Sequence, residues 1–122
     1  MNEVSTSAKG KLAEDCALKF LEKQGLSLIR RNYSCPAGEI DLIMRDKDKT
    51  AFIEVRSRLN ENFINAVETI DLRKQKRIIK TSLHYLQNTE KYPSKYYRYD
   101  VVTIDGALTN SNIEWIKNAF DA

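Results

Sequence analysis

The stretch from Gly38 to Arg58 limits what this chain can fold into more than any other segment. Two strongly apolar runs that carry charge at alternate positions, Gly38 to Arg45 and Thr50 to Arg58, flank Asp46-Lys47-Asp48-Lys49. The runs read as strands and the charged break between them as their turn. With Lys47 and Asp48 as the two loop residues of a tight hairpin, Asp46 faces Lys49, Ile43 faces Phe52, Asp41 faces Glu54 and Glu39 faces Arg56. Side chains alternate along a strand, so Ile40, Leu42 and Met44 share one face, which is core. Glu39, Asp41 and Ile43 take the other face, with Phe52, Glu54 and Arg56 beside them.

The flanking segments supply what covers such a hairpin. Ser5, Thr6 and Ser7 offer N-caps for a first helix. Its apolar stripe holds Leu12, Cys16 and Phe20 with Ala13, Ala17 and Leu21, and Gly25 stops it. Leu26 to Tyr33 reads as a strand and Ser34 to Gly38 as a turn. After a loop from Leu59 to about Thr69, a second helix runs from Asp71 to Asn88, with Leu72, Ile79, Leu83 and Leu86 on one face. Pro93 ends any continuation. Tyr97 to Ile104 is a strand, Asn112 to Ile116 a short closing strand, and Lys117 to Phe120 a terminal turn. The order αβββαβ(β) predicts one α/β domain over residues 1–122, a mixed sheet flanked by helices.

Composition narrows the setting. At 122 residues, 42% hydrophobic and 30% charged, the chain can bury a core without metal or disulfide staples. No apolar run approaches the ~20 residues of a membrane span, and the N-terminus has no secretory pattern. Cys16 and Cys35 lack metal-ligand spacing, so a reduced, cytoplasmic protein is expected.

The hairpin also carries the chemistry. Two carboxylates opposite each other have Cβ atoms ~5 Å apart and repel. A shared proton, a basic neighbour or a cation must offset that, and a hard divalent ion with oxygen ligands fits best. The plain structural alternative is a water-facing sheet surface on which Asp41 and Glu54 are merely solvated and Glu39 pairs with Arg56. The second helix argues against it, because Gln75 falls within the apolar stripe, where an idle polar group is costly. Arg73, Lys74, Lys76 and Arg77 crowd the first turns of that helix, where the helix dipole disfavours cations. An anion such as a backbone phosphate docking there would relieve them, although a solvated helix face explains the run on its own.

Together, Asp41, the hairpin and Glu54-Val55-Arg56 resemble the PD-(D/E)XK signature of the restriction-endonuclease-like superfamily. More narrowly, the chain resembles the YraN family of bacterial proteins over nearly its whole length. The resemblance rests on the ordered set Gly10 to Glu14, Arg31-Asn32-Tyr33, Gly38 to Ile43, Phe52 to Arg56, Arg73-Lys74-Gln75, Asp100-Val101-Val102 and Ile113 to Ile116. It implies a restriction-endonuclease-like αβββαβ core and a layout similar to archaeal Holliday junction resolvases, which are dimeric and metal-dependent. By position, it makes Asp41 and Glu54 the principal ligands of Mg²⁺ or Mn²⁺, with Glu14 assisting from the first helix. Arg56 stands where the superfamily usually has a catalytic lysine; it can stabilise a pentavalent phosphorane but does not readily lose a proton. Gln75 matches a polar helix position that accompanies such sites, and Arg73, Lys74, Lys76 and Arg77 would bind the nucleic-acid backbone.

The expected function is metal-dependent endonucleolytic cleavage of branched or otherwise structured DNA, with a homodimer suited to paired cuts. Two alternatives remain open: a non-catalytic nucleic-acid-binding module of the same fold, and an accessory domain that docks another protein. Among minor candidates, His84 reads as a surface or edge residue and a thiol mechanism at Cys35 is disfavoured. Asp100 either bonds backbone groups or supports the site. Tyr92, Tyr96, Tyr97 and Tyr99 read as packing residues more readily than as base-stacking ones.

Overall fold

Apolar residues at helical and at alternating spacing resolve into two helices and five strands, in the order α1 (Thr6–Lys23), β1 (Ser27–Cys35), β2 (Gly38–Asp46), β3 (Lys49–Arg58), α2 (Leu72–Asn88), β4 (Tyr97–Asp105) and β5 (Ile113–Phe120). The computed structural model describes residues 6–58, 70–89, 96–105 and 112–122. The expectations placed on Ser5, Leu59 to Thr69, Tyr92 and Pro93 lie outside these residues.

The strands form a mixed sheet in the spatial order β1-β2-β3-β4-β5. All neighbours are antiparallel except β3 and β4, which run parallel and are joined through α2. Each helix covers one face. Ala13, Ala17 and Leu21 of α1 pack with Leu42, Met44, Ala51, Ile53, Val102 and Ile104. Ile78, Tyr85 and Leu86 of α2 pack with Tyr33, Ile40, Ile43, Phe52, Tyr99 and Val101. No helix among the described residues is long and apolar enough to cross a membrane.

Local chemistry sets the helix ends. Gly25 adopts φ 101°, and its N–H reaches the Glu22 carbonyl at 3.0 Å while Leu26 N–H reaches Leu21 at 3.1 Å. This pair of bonds is the Schellman closure that a left-handed glycine permits. Asp71 caps α2, its carboxylate accepting Lys74 N–H at 2.9 Å.

Four expectations need correction. Leu12 is 48% exposed, because the buried line of α1 runs through Ala13, Ala17 and Leu21, whose two alanines let the helix lie close to the sheet. On α2 the buried residues are Ile78, Thr81, Ser82, Tyr85 and Leu86, whereas Leu72 is 70% exposed and Leu83 lies outside too. The helix is rotated from the apolar stripe because its hydroxyls are satisfied inside: Thr81 Oγ1 donates to Arg77 O at 2.7 Å, and Ser82 Oγ meets both Ile79 O and the Tyr99 hydroxyl. Residues 117–120 continue β5 as strand, with Phe120 stacked on Tyr99 at 5.1 Å. Finally, Ile40 packs on the α2 side while Leu42 and Met44 pack on the α1 side, so strict alternation fails at Asp41. Its cause lies on β1, where Arg31 pairs with Leu42 and Tyr33 with Ile40. Asn32, between them, has φ 55°, a left-handed conformation that asparagine tolerates and that reorients the strand.

Candidate metal centre and cationic helix face

The hairpin register holds as far as it is paired: Asp46 with Lys49, Ile43 with Phe52 and Leu42 with Ile53. Lys47, at the turn, supplies a positive φ of 58°. Beyond Leu42 the pairing of β2 with β3 ends, and the Asp41 carboxylate takes over the role of a ladder acceptor. Its Oδ2 accepts the Val55 N–H at 2.8 Å. That reach across the strand gap brings Asp41 to Glu54, close enough for each carboxyl group to act directly on the other.

The environment of Asp41 is hostile to charge. Burial, then the Glu54 carboxylate, with a smaller contribution from Glu14, push its pKa up to about 8 against the opposing effect of the Val55 N–H. Glu54 is itself buried, its side chain 7% exposed, and its Oε2 lies 3.0 Å from Lys74 Nζ. The ammonium thus covers one carboxylate of the pair, while the other is placed to hold a proton.

Glu14 approaches from α1. Arg31 Nε stands 3.3 Å from its Oε1, and Asn32, with its amide nitrogen turned toward the carboxylate, donates to both oxygens at 3.0 and 3.2 Å. Arg31 also bonds Asp15 at 2.6 Å and the Lys11 carbonyl at 3.2 Å, tying α1 to β1. The left-handed Asn32 that breaks strand alternation therefore also fixes Glu14 near Asp41. Among the described residues no three His, Cys, Asp or Glu side chains gather as a complete ligand set. The close carboxylate pair is Asp41 with Glu54.

The remaining expected site residues divide. Arg56 is half-buried and lies two residues beyond Glu54, beside Thr103 of β4. Gln75 is half-buried, and its Nε2 donates to the Ile70 carbonyl at 3.0 Å, securing the chain entering α2. The basic block does not act as one unit. Lys74 turns inward to Glu54, whereas Arg73, Lys76 and Arg77 line an open groove of about 390 Å³ together with Lys80. Positions 73, 76, 77 and 80 share one helix face, and that periodicity was sufficient to find Lys80 from sequence.

Asp100 resolves toward a structural role. It is buried and accepts from Arg98 Nε at 3.0 Å, Trp115 Nε1 at 3.1 Å and Asn118 N at 2.9 Å. Its register partner on β3 is Ile53, so it faces α1, on the side of the sheet opposite Phe52 and Glu54. His84 is exposed and its Nδ1 meets the Tyr33 hydroxyl. Cys16 and Cys35 are half-buried free thiols.

Comparison with known proteins converges on one group. The family model described as "Uncharacterised protein family UPF0102" matches residues 13–104, a span that includes Glu14, Asp41, Glu54 and all of α2. A UPF0102 protein of Legionella pneumophila (strain Corby) is 47% identical over 120 residues, covering 96% of this chain and 98% of that protein. One from Nitrosomonas europaea is 48% identical over 118 residues, covering 96% and 97%. Another, from Pseudomonas entomophila, is 43% identical over 122 residues and covers 99% of both. The chain belongs to the UPF0102, or YraN-like, family.

Proposed function

We propose that the protein is a divalent-metal-dependent endonuclease of the restriction-endonuclease-like PD-(D/E)XK type, acting on branched or structured DNA. The observation that carries this reading is the close carboxyl pair of half-buried Asp41 and buried Glu54, in which each disfavours charge on the other. Two carboxylates completed by water and phosphate oxygens suit Mg²⁺ or Mn²⁺, so the donor set fits. Such an ion would polarise a phosphodiester and make water a stronger acid. Asp41 and Glu54 would hold it, and Glu14 of α1, held by Arg31, would add negative charge nearby. Arg56 would place a permanent charge where negative charge develops on phosphorus oxygens. Gln75 would keep the start of α2, and with it Lys74, over the carboxylates by bonding Ile70. The groove of Arg73, Lys76, Arg77 and Lys80 offers the duplex backbone four cations along one helix face. A homodimer would present two such centres for paired cuts.

Cleavage of four-way-junction and linear DNA in Mg²⁺ and in Mn²⁺ tests this directly. Wild-type protein should cut, and Asp41→Asn and Glu54→Gln should each lose at least ~100-fold in rate while still binding DNA. Binding without cutting under either metal would favour the non-catalytic module of the same fold. Absence of DNA binding even at low salt would favour a protein-docking role.

A further inference from the structure

Glu54 sits in surroundings that penalise an ion left alone, and a buried carboxylate is tolerated when a cation is held against it. That cation is Lys74, 3.0 Å away, and the two side chains differ sharply in exposure: 40% for Lys74 and 7% for Glu54. The ammonium therefore approaches from the solvent side, at the end of a flexible four-carbon stem. The backbone of Lys74 is fixed by the Asp71 cap in the first turn of α2, a place where the helix dipole disfavours positive charge. Its side chain is the member of the basic block that leaves the open groove for the carboxylates.

We propose that Lys74 is an exchangeable counter-cation. It holds Glu54 in the metal-free protein and yields that carboxylate when a divalent cation enters. The displaced ammonium then stays at the mouth of the site, next to the groove where phosphate arrives. This inference rests on the metal reading above, but not on cleavage. It assigns Lys74 a role that Arg73, Lys76 and Arg77 do not share, and it explains how a paired-carboxylate site remains folded before its ion binds.

Calorimetric titration of Mg²⁺ and of Mn²⁺ alone into the full chain, without DNA, tests it at low ionic strength. Lys74→Gln removes the competitor and should tighten metal binding about tenfold. Lys19→Gln, which removes a charge from an exposed position on α1, should leave affinity near the wild-type value. In chelator, Lys74→Gln should melt below wild type, and added Mn²⁺ should raise its melting temperature by more than it raises that of wild type. Lys74→Met, which keeps the aliphatic stem, provides the same comparison should the glutamine variant fail to fold. Affinity unchanged or weakened by loss of Lys74 overturns the proposal. No metal binding by wild type or either Lys74 variant overturns both it and the metal reading. Tightened binding without DNA cleavage leaves it standing and removes only the nuclease reading.

Discussion

Asp41 carries an ordinary carboxylate into a place where it is cheaper to stay protonated. With its folded pKa near 8 against the usual 3.8, the native protein keeps a proton that the unfolded chain releases. Stability of the metal-free protein is therefore expected to fall as pH rises from about 4 to about 8, and to level off above that. Urea denaturation in chelator at pH 5, 7 and 9 should show this slope in wild type and lose it in Asp41→Asn. Identical slopes in the two proteins would mean that the proton sits elsewhere. A divalent ion competes with the same proton, so its affinity should rise with pH across that interval. The meeting of Asp41 with Glu54 was legible in the sequence, because a two-residue turn and strict pairing count the two positions toward each other. What spacing could not show is that Asp41 leaves the ladder to bond Val55 N–H, or that Asn32 turns β1 and brings Glu14 near. The second depends on Asn32, a left-handed residue in the neighbouring strand.

At the scale of the element, α2 separates two jobs along one short basic run. Its inward side lays Lys74 on Glu54, and its outward side aligns Arg73, Lys76, Arg77 and Lys80. Sequence spacing found the helix but misjudged its rotation, since Leu72 and Leu83 outscore Thr81 and Ser82 on hydrophobicity. The hydroxyls go inside because each has a partner there, and because Gly38 admits the helix closely: a Cβ at Gly38 would stand 3.1 Å from Thr81 Oγ1. That rotation is what turns the four cations into a single exposed face. Each phosphate neutralised by such a face releases counterions, contributing about −0.9 to the slope of log affinity against log salt. Arg77→Gln with Lys80→Gln should therefore flatten that slope by about 2 for duplex DNA, measured by fluorescence anisotropy over a salt series. A slope unchanged from wild type would assign DNA contacts to another surface. Lys80 is the sharper half of this test, since only the geometry of the helix joins it to the block.

Across the whole molecule, the structural polar network of Asp100 lies on the α1 face of the sheet and the Glu54–Lys74 pair on the α2 face. The α1 face holds Asp100, which gathers Arg98, Trp115 and the backbone of Asn118, and so ties β5 to β4 where their register shifts. Asn118 has φ 54°, and the Asp100 carboxylate that accepts its N–H holds that turn of the strand. The α2 face holds Glu54 with Lys74, and Asp41 joins it where β2 stops pairing with β3. Sequence order gave the strand sequence and the helix between the parallel pair, because a crossover long enough for parallel strands needs about the length that α2 and its flanks provide. It truncated β5 at Ile116, since Lys117 and Asn118 look like a turn unless the bond from Asn118 N–H to buried Asp100 is known. Asp100→Ala removes that partner and leaves Arg98 paired only with Asp46, at 2.9 Å. The loss should be about 3 kcal/mol, at the lower end for breaking a buried ion pair, because Asp46 still answers the guanidinium. Urea denaturation would measure it, and metal titration of the fraction that remains folded should give the wild-type affinity. A variant that loses metal binding while keeping its stability would mean that Asp100 reaches through the sheet to the carboxylates, and that the two faces are not independent.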